Sequence, residues 1–176
     1  MKIETHILDN SEISMDDLEN IAKLKEQYWA YGIHSQMKWI EKNLQNNDKH
    51  LMIKASEDEK KVLLAYMNLT NILAEINGNQ CAVIGVGNVC VERKFEHKGW
   101  GKKLMNEANH FIETSGKLGF LLCKTELIGF YKKCGWLKFA RGVEVYVCGT
   151  LYDKEVMSYP TDQEINYKKL LFSRNF

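Results

Sequence analysis

The chain has 176 residues, with 24 Lys and Arg set against 23 Asp and Glu, a formal charge of +1, and five cysteines. That length suits one domain with a substantial core, and the charge balance excludes attachment to nucleic acid or a membrane surface by bulk charge. No run approaches a signal-peptide core or a membrane span, and Cys81, Cys90, Cys123, Cys134 and Cys148 show neither a C-x-x-C pair nor zinc-ligand spacing, so a cytoplasmic chain with reduced thiols and no metal is expected.

In chain order, Leu18, Ile21, Ala22, Lys25 and Tyr28/Trp29 follow helical spacing behind Ser14-x-x-Asp17, which has the form of a capping box. A second short helix carries Met37, Ile40 and Leu44 and stops at the polar break "NNDKH". "LMIKAS", "KVLLAYMNLTNILAEI" and "CAVIGVGNVCV" then read as strands, separated by "EDEK" and "NGNQ". Asn77-Gly78 in the second connection is a strong hairpin signal, so three consecutive strands predict an antiparallel meander.

The period then returns to helical. Leu104, Ala108, Phe111 and Ile112 form a core-facing stripe, with Gly116 as the cap that ends it. "FLLC" reads as a short buried strand, Thr125 as the cap of a last helix "ELIGFYKKC", and Gly135 as its stop. "WLKFARGVEVYVCG" and "EVMSYP" close the chain as strands, and the apolar content of "TDQEINYKKLLFSRNF" argues against a disordered tail. With no repeat, low-complexity tract or linker, residues 1–176 are read as a single α+β domain.

The stretch "FEHKGWGKKLM" joins the strand "NVCV" to the helix beginning near Trp100. A first helical turn offers unpaired N–H groups and the positive end of the dipole. Gly99 and Gly101 leave the backbone bare, and Lys98, Lys102 and Lys103 add positive charge. A phosphate or diphosphate suits such a junction; a glycine-softened turn with solvated lysines is the other reading of the same residues. A nucleotide P-loop does not fit, because Glu96 stands where its first glycine belongs and Lys103 replaces the Ser/Thr. A dinucleotide fingerprint at "GVGNVC" fails as well, with Cys90 at the third glycine and no helix following.

Two motifs together resemble the GCN5-related N-acetyltransferase family. Its signature is a strand ending V-x-V, a short loop, then [RQ]-x-x-G-x-[GA] opening a helix. Here Val89-Cys90-Val91 is followed by Glu96-His97-Lys98-Gly99-Trp100-Gly101, and "FYKKCGW" from Phe130 to Trp136 matches the F-Y-x-x-x-G-[FW] that ends the family's next helix. The resemblance covers Leu51 to about Pro160. It implies a mixed, mostly antiparallel sheet, splayed at the cofactor site and flanked by about four helices. It implies acetyl-CoA as co-substrate: Val89, Cys90 and Val91 lie along the pantetheine arm, the Val91 N–H polarises the thioester carbonyl, and the backbone from Glu96 through His97, Lys98, Gly99, Trp100, Gly101 and Lys102 faces the diphosphate. Tyr131 takes the position of the general acid that protonates the departing thiolate.

Three departures from the family pattern carry expectations of their own. Glu96 replaces the usual Arg or Gln and is expected to repel the diphosphate and weaken cofactor binding. Lys124 stands where many members have Asn. Gly85, Gly87 and Asn88 occupy the strand where many members carry a glutamate base, leaving Glu75, Glu164 and the terminal carboxylate as candidates, each with a plain solvated role as the alternative. The hairpin, the "YKKCGW" spacing and the C-terminal extension have an architectural likeness to the aminoglycoside N-acetyltransferase branch, although Asp162 and Glu164 are the only acidic residues in the tail before "NYKK". In "YWAYG", Trp29 or Tyr31 either lines the acceptor groove or packs in the core. The activity the resemblance implies is transfer of acetyl to a primary amine of a small molecule or peptide, with a second copy of the chain as an optional partner. The alternative is a non-catalytic acyl-CoA sensor of the same fold, against which the tyrosine of "FYKKCGW" argues.

Overall fold

The element order explains how the loop at Phe95–Gly101 comes to be held. In a computed structural model, which describes residues 2–57, 60–160 and 166–176, strand β1 (Lys2–Asp9) precedes helices α1 (Met15–Glu26) and α2 (Ile33–Asn43). Strands β2 (Lys49–Glu57), β3 (Lys60–Ile76) and β4 (Asn79–Val91) follow, then α3 (Trp100–Ser115), β5 (Gly119–Cys123) and α4 (Ile128–Lys133). The short strands β6 (Leu137–Lys138), β7 (Glu144–Val147), β8 (Thr150–Leu151), β9 (Glu155–Tyr159) and β10 (Lys169–Phe172) complete the chain. Among the described residues the fold is α+β, with a large mixed sheet and four α-helices.

Two compact units share the elements β3, β4 and α3: Met1–Thr70 with Gly87–Met105, and Asn71–Val86 with Asn106–Phe176. In the first unit, β1 pairs antiparallel with β2 and β2 with β3, the second ladder shifting register at Ile53/Lys54. Ser14 caps α1 by accepting the Asp17 N–H at 3.1 Å, as the capping box predicts. The apolar stripe of α1 delivers Ile21 and Leu24, and α2 delivers Ile40, onto Met52, Tyr66 and Cys90 of the strands. Strand β1 was not predicted, although Ile3, Thr5 and Ile7 alternate as a strand requires.

In the second unit, β5 joins β4 in parallel over Ile84–Val86 and β9 in antiparallel over its whole length. Strand β10, from the apolar tail, inserts between β3 (antiparallel) and β7 (parallel). Its Leu170 and Phe172 bury into a cluster with Ile72, Val83, Phe120 and Val145, which holds this strand in the sheet. Asn77 and Gly78 both adopt positive φ, 51° and 88°, and make the predicted hairpin between β3 and β4.

Two boundaries differ from expectation. Thr125 does not cap α4: residues Thr125–Leu127 form a 3-10 turn, and the Thr125 hydroxyl is bonded to Glu155 at 3.3 Å. "WLKFARGVEVYVCG" is not one strand but β6 and β7, parted by a turn at Gly142 with φ 90°. Asp58 and Glu59 of the predicted "EDEK" turn, and Asp162 and Glu164 of the tail, lie outside the described residues.

Candidate functional site

Strand β4 is buried from Val83 to Gly87, then becomes half-buried at Asn88, Val89 and Val91. Asn88 interrupts the strand with a φ of 53°, an irregularity of the kind that re-aims a strand end. The Asn88 side-chain amide donates from Nδ2 to Oδ1 of Asn68, while the Nδ2 of the fully buried Asn68 has no partner among the described residues. The Cys90 side chain turns into the core of the first unit, its Sγ 3.8 Å from the Tyr66 carbonyl, so only its backbone is available to a ligand.

Beyond Val91 the chain makes a 3-10 turn at Arg93–Phe95 and enters α3 through an unusual loop. His97 (φ 59°) and Gly99 (φ 88°) are both left-handed, and the residue between them, Lys98, is not. Alternating handedness turns backbone N–H groups toward one concavity, the geometry of an anion nest. A Cβ added at Gly99 would meet no atom within 4 Å, so the bare backbone there faces open space. The Lys103 N–H closes the first turn of α3 onto the Gly99 carbonyl at 3.0 Å. His97, Lys98 and Gly99 are exposed, as is Lys102, and Trp100 and Gly101 are half-buried. The Lys98 ammonium lies 5.1 Å from the centre of the Phe95 ring and that of Lys103 5.9 Å from Trp100, stacked on aromatic faces beside the loop.

Glu96 has a partner that its sequence position does not announce. Its carboxylate is hydrogen-bonded to the phenol of Tyr28, at the end of α1, and the same phenol lies 2.6 Å from the Val91 carbonyl oxygen. Burial first, and then the bond to Glu96, push the Tyr28 hydroxyl well above its ordinary pKa, keeping it a proton donor. The "YWAYG" cluster divides: Trp29 takes the core role open to it, and Tyr28 makes a contact that the sequence pattern does not announce. Trp29 packs against the core of the first unit and Tyr31 is 73% exposed, whereas Tyr28 reaches the loop.

In the second unit, Tyr131 is 6% exposed on α4, its ring edge-on to Phe130. The end of α4 is locked by Gly135 (φ 88°), with the N–H groups of Cys134 and Trp136 both on the Tyr131 carbonyl. Asn109 of α3 fixes this corner: its amide donates to Cys134 O at 2.9 Å and its carbonyl accepts the Trp136 indole N–H at 2.9 Å. The glycine and tryptophan of "FYKKCGW" thus set the end of the helix that carries the tyrosine. Lys124 is exposed just before the 3-10 turn, and Glu75 is half-buried in β3 opposite Leu171. The ring of Phe176 covers Gly85.

Residues 48–137 match the family model described as an acetyltransferase (GNAT) domain. The chain belongs to the GCN5-related N-acetyltransferase family. The match takes in the Val89–Val91 strand end, the glycine loop and the whole of "FYKKCGW". No curated protein is similar enough in sequence to match. Among solved structures, the chain is similar to an acyl-CoA N-acyltransferase from Pseudomonas aeruginosa (TM-score 0.64, 17% identity, 90% of this chain and 100% of that one). It is similar also to ElaA from Escherichia coli (0.62, 17%, 90% and 100%). A third likeness is to a mutant of the AtaT toxin bound to the C-terminus of the antitoxin AtaR and acetyl-CoA (0.59, 13%, 92% and 94%). At these identities the structures speak for the fold, and membership of the GNAT family speaks for acyl transfer. Among the described residues no helix is long and apolar enough to cross a membrane.

Proposed function

We propose that this GNAT domain transfers an acetyl group from acetyl-CoA to a primary amine by direct attack. The observation that carries the reading is the V-x-V strand end leading into a left-handed His97/Gly99 turn at the start of α3. It supplies backbone donors and open space where a diphosphate needs them. In the first unit, the N–H groups from His97 to Lys102 hold the diphosphate, with Glu96 at the loop's entrance. The backbone of Val89, Cys90 and Val91 aligns the pantetheine arm. The Val91 N–H stabilises negative charge on the thioester oxygen as the amine nitrogen bonds to the carbonyl carbon. In the second unit, the role proposed for Tyr131 is to give its phenolic proton to the sulfur as the C–S bond breaks, so the leaving group departs as a neutral thiol. The proton shed by the attacking nitrogen passes to solvent, from which the Tyr131 phenolate takes one back to complete the cycle. The acceptor is a small-molecule or peptide amine, and the cytoplasm is the compartment in which acetyl-CoA meets it.

Two measurements test this. Calorimetric titration of the folded protein with acetyl-CoA is expected to show one-site binding that Gly99→Val abolishes or weakens at least tenfold, since the valine adds side-chain bulk to the cradle and strains a backbone at φ 88°. A panel of amines assayed for thiol release from acetyl-CoA is expected to yield at least one acceptor. Binding without release on any amine would favour the sensor reading, and unchanged affinity in the valine variant would remove the cradle.

A further inference from the structure

The end of α1 is fastened to the connection between β4 and α3 by a dense set of bonds, and the glycine loop alone does not require them. Gln27 donates from Nε2 to Glu92 at 2.8 Å and accepts the Arg93 N–H at 3.1 Å. The Arg93 guanidinium returns a bond to the Gln27 carbonyl, and it lies 5.7 Å over the Tyr28 ring. Tyr28 places its one phenolic proton between the Val91 carbonyl and the Glu96 carboxylate. Every partner lies in the first unit, and the pairs are 63 to 68 residues apart in sequence.

Two consequences follow for an anion site that begins at His97. A carboxylate one residue ahead of the nest is the wrong charge for it, and left free it would act against any bound diphosphate. Bonded to a phenol, it has a partner just beyond α1 and its position is set. The Val91 N–H faces the reacting carbonyl in the proposed chemistry, and the carbonyl of the same residue, in the next peptide unit, is held by the same phenol. We propose that Tyr28 is a positioning residue of the acyl-CoA site: it captures the Glu96 carboxylate and clamps the Val91 carbonyl, so that the nest tolerates an acidic residue at its entrance. This deepens the acetyl-CoA reading and rests on it. It also changes the expectation for Glu96: the acid is a ligand of Tyr28 rather than a defect in the cradle.

The test is a double-mutant cycle on affinity for free CoA, whose diphosphate is the group at issue. It uses the full chain, Tyr28→Phe, Glu96→Gln and the double variant, each checked for folding by circular dichroism. Phenylalanine keeps the ring and releases the carboxylate, and Tyr28→Phe is expected to weaken CoA binding about tenfold. The loss should shrink on raising salt, because a released, exposed charge is screened. In the Tyr28→Phe background Glu96→Gln should recover most of the loss, whereas in the native background it should tighten binding no more than about threefold. A purely structural tyrosine predicts no recovery and no salt dependence. The proposal is overturned by a folded Tyr28→Phe protein with native affinity, or by a double variant no better than it. If Tyr28→Phe does not fold, tenfold tightening by Glu96→Gln alone overturns it, because the carboxylate was then never captured. Failure of the native chain to bind CoA at all would overturn the acyl-CoA reading together with this one, whereas every other adverse outcome leaves that reading intact.

Discussion

At the residue scale the decisive positions are those where one atom has no substitute. Tyr131 is held from its own backbone outward, with its carbonyl taking two N–H groups at the turn that ends α4. Phenylalanine there keeps the ring, its packing on Phe130 and the turn, and loses the hydroxyl with its proton. If that proton goes to the departing thiolate, kcat on a true amine substrate is expected to fall by about 10²–10⁴ while acetyl-CoA affinity holds. A tyrosine of packing value alone would instead lose a little stability and keep its turnover, so paired melts and steady-state rates separate the roles. Gly85 is decisive for the opposite reason, being the lack of an atom. A Cβ there would collide with the Ile72 side chain and the Phe176 ring. Where many family members carry an acid on this strand, this chain has a glycine covered by the Phe176 ring. Gly85→Ala is therefore expected to cost roughly 1–3 kcal/mol, read as a shift in the denaturant midpoint. Deleting Phe176 in the alanine variant should return part of that loss, and a variant as stable as the parent would contradict the contact.

At the scale of elements, the hairpin between β3 and β4 shows what sequence conveys and what it withholds. Asn-Gly between two apolar runs announces a turn with two left-handed residues, because those two residue types tolerate positive φ best. Nothing local announces what the asparagine side chain then does. Its Oδ1 accepts the N–H groups of Lys168 and Lys169 at 2.8 and 3.0 Å, and its Nδ2 donates to Asn166 at 2.7 Å, pinning β10 into the sheet from about 90 residues away. Tyr28 and Glu96 repeat the lesson at 68 residues apart. Periodicity and turn chemistry are local and could be read, so α1, α2, α3 and the meander were legible. The strand–glycine loop–helix junction was legible too, as a pattern of residue types. Side chains that tie distant segments leave no periodic trace, so the holder of Glu96 was not legible. Strand β1 was missed for another reason, its alternation being overshadowed by a strongly capped helix immediately downstream. Asn77→Ala removes three bonds and an asparagine's tolerance of φ 51°, so a cost of about 1–3 kcal/mol is expected. Hydrogen exchange should show the loss in β10 before β2, and equal protection in both variants would detach β10 from Asn77.

Over the whole molecule, buried ionisable groups decide how stability depends on pH. His50 is fully buried, with Tyr66 and Asn10 each at one ring nitrogen, and burial, helped by the nearby Lys25 charge, lowers its pKa from 6.5 to about 4. Between those values the unfolded chain binds a proton that the fold refuses, so stability climbs from pH 4 to 6.5. Lys25 is only 2% exposed, and burial lowers it from 10.5 to about 8, with Cys90 opposing weakly. It gives the same sign in a higher window: the penalty is complete below pH 8 and fades toward 10.5. Burial raises Cys123 from 9.0 to about 11 and raises Cys90 as well. These groups have the opposite sign, because above pH 9 the unfolded chain sheds protons that the fold keeps. Two falling contributions then outweigh one rising one. The expected profile climbs to pH 6.5, is flat to 8, rises slightly to 9 and declines beyond it. Lys25→Met isolates one contribution. The Trp39 ring, 4.1 Å from the ammonium, offsets part of the cost of burying it. The net gain of the methionine variant at pH 7 is thus expected near 1–3 kcal/mol, at or below the ~3 kcal/mol of the full shift. Denaturant melts at about pH 7, 8.5 and 10 should show the advantage narrowing at each step, as the native lysine loses its charge. An advantage that stays constant with pH would mean that Lys25 keeps its proton in the fold, held by Trp39 against burial.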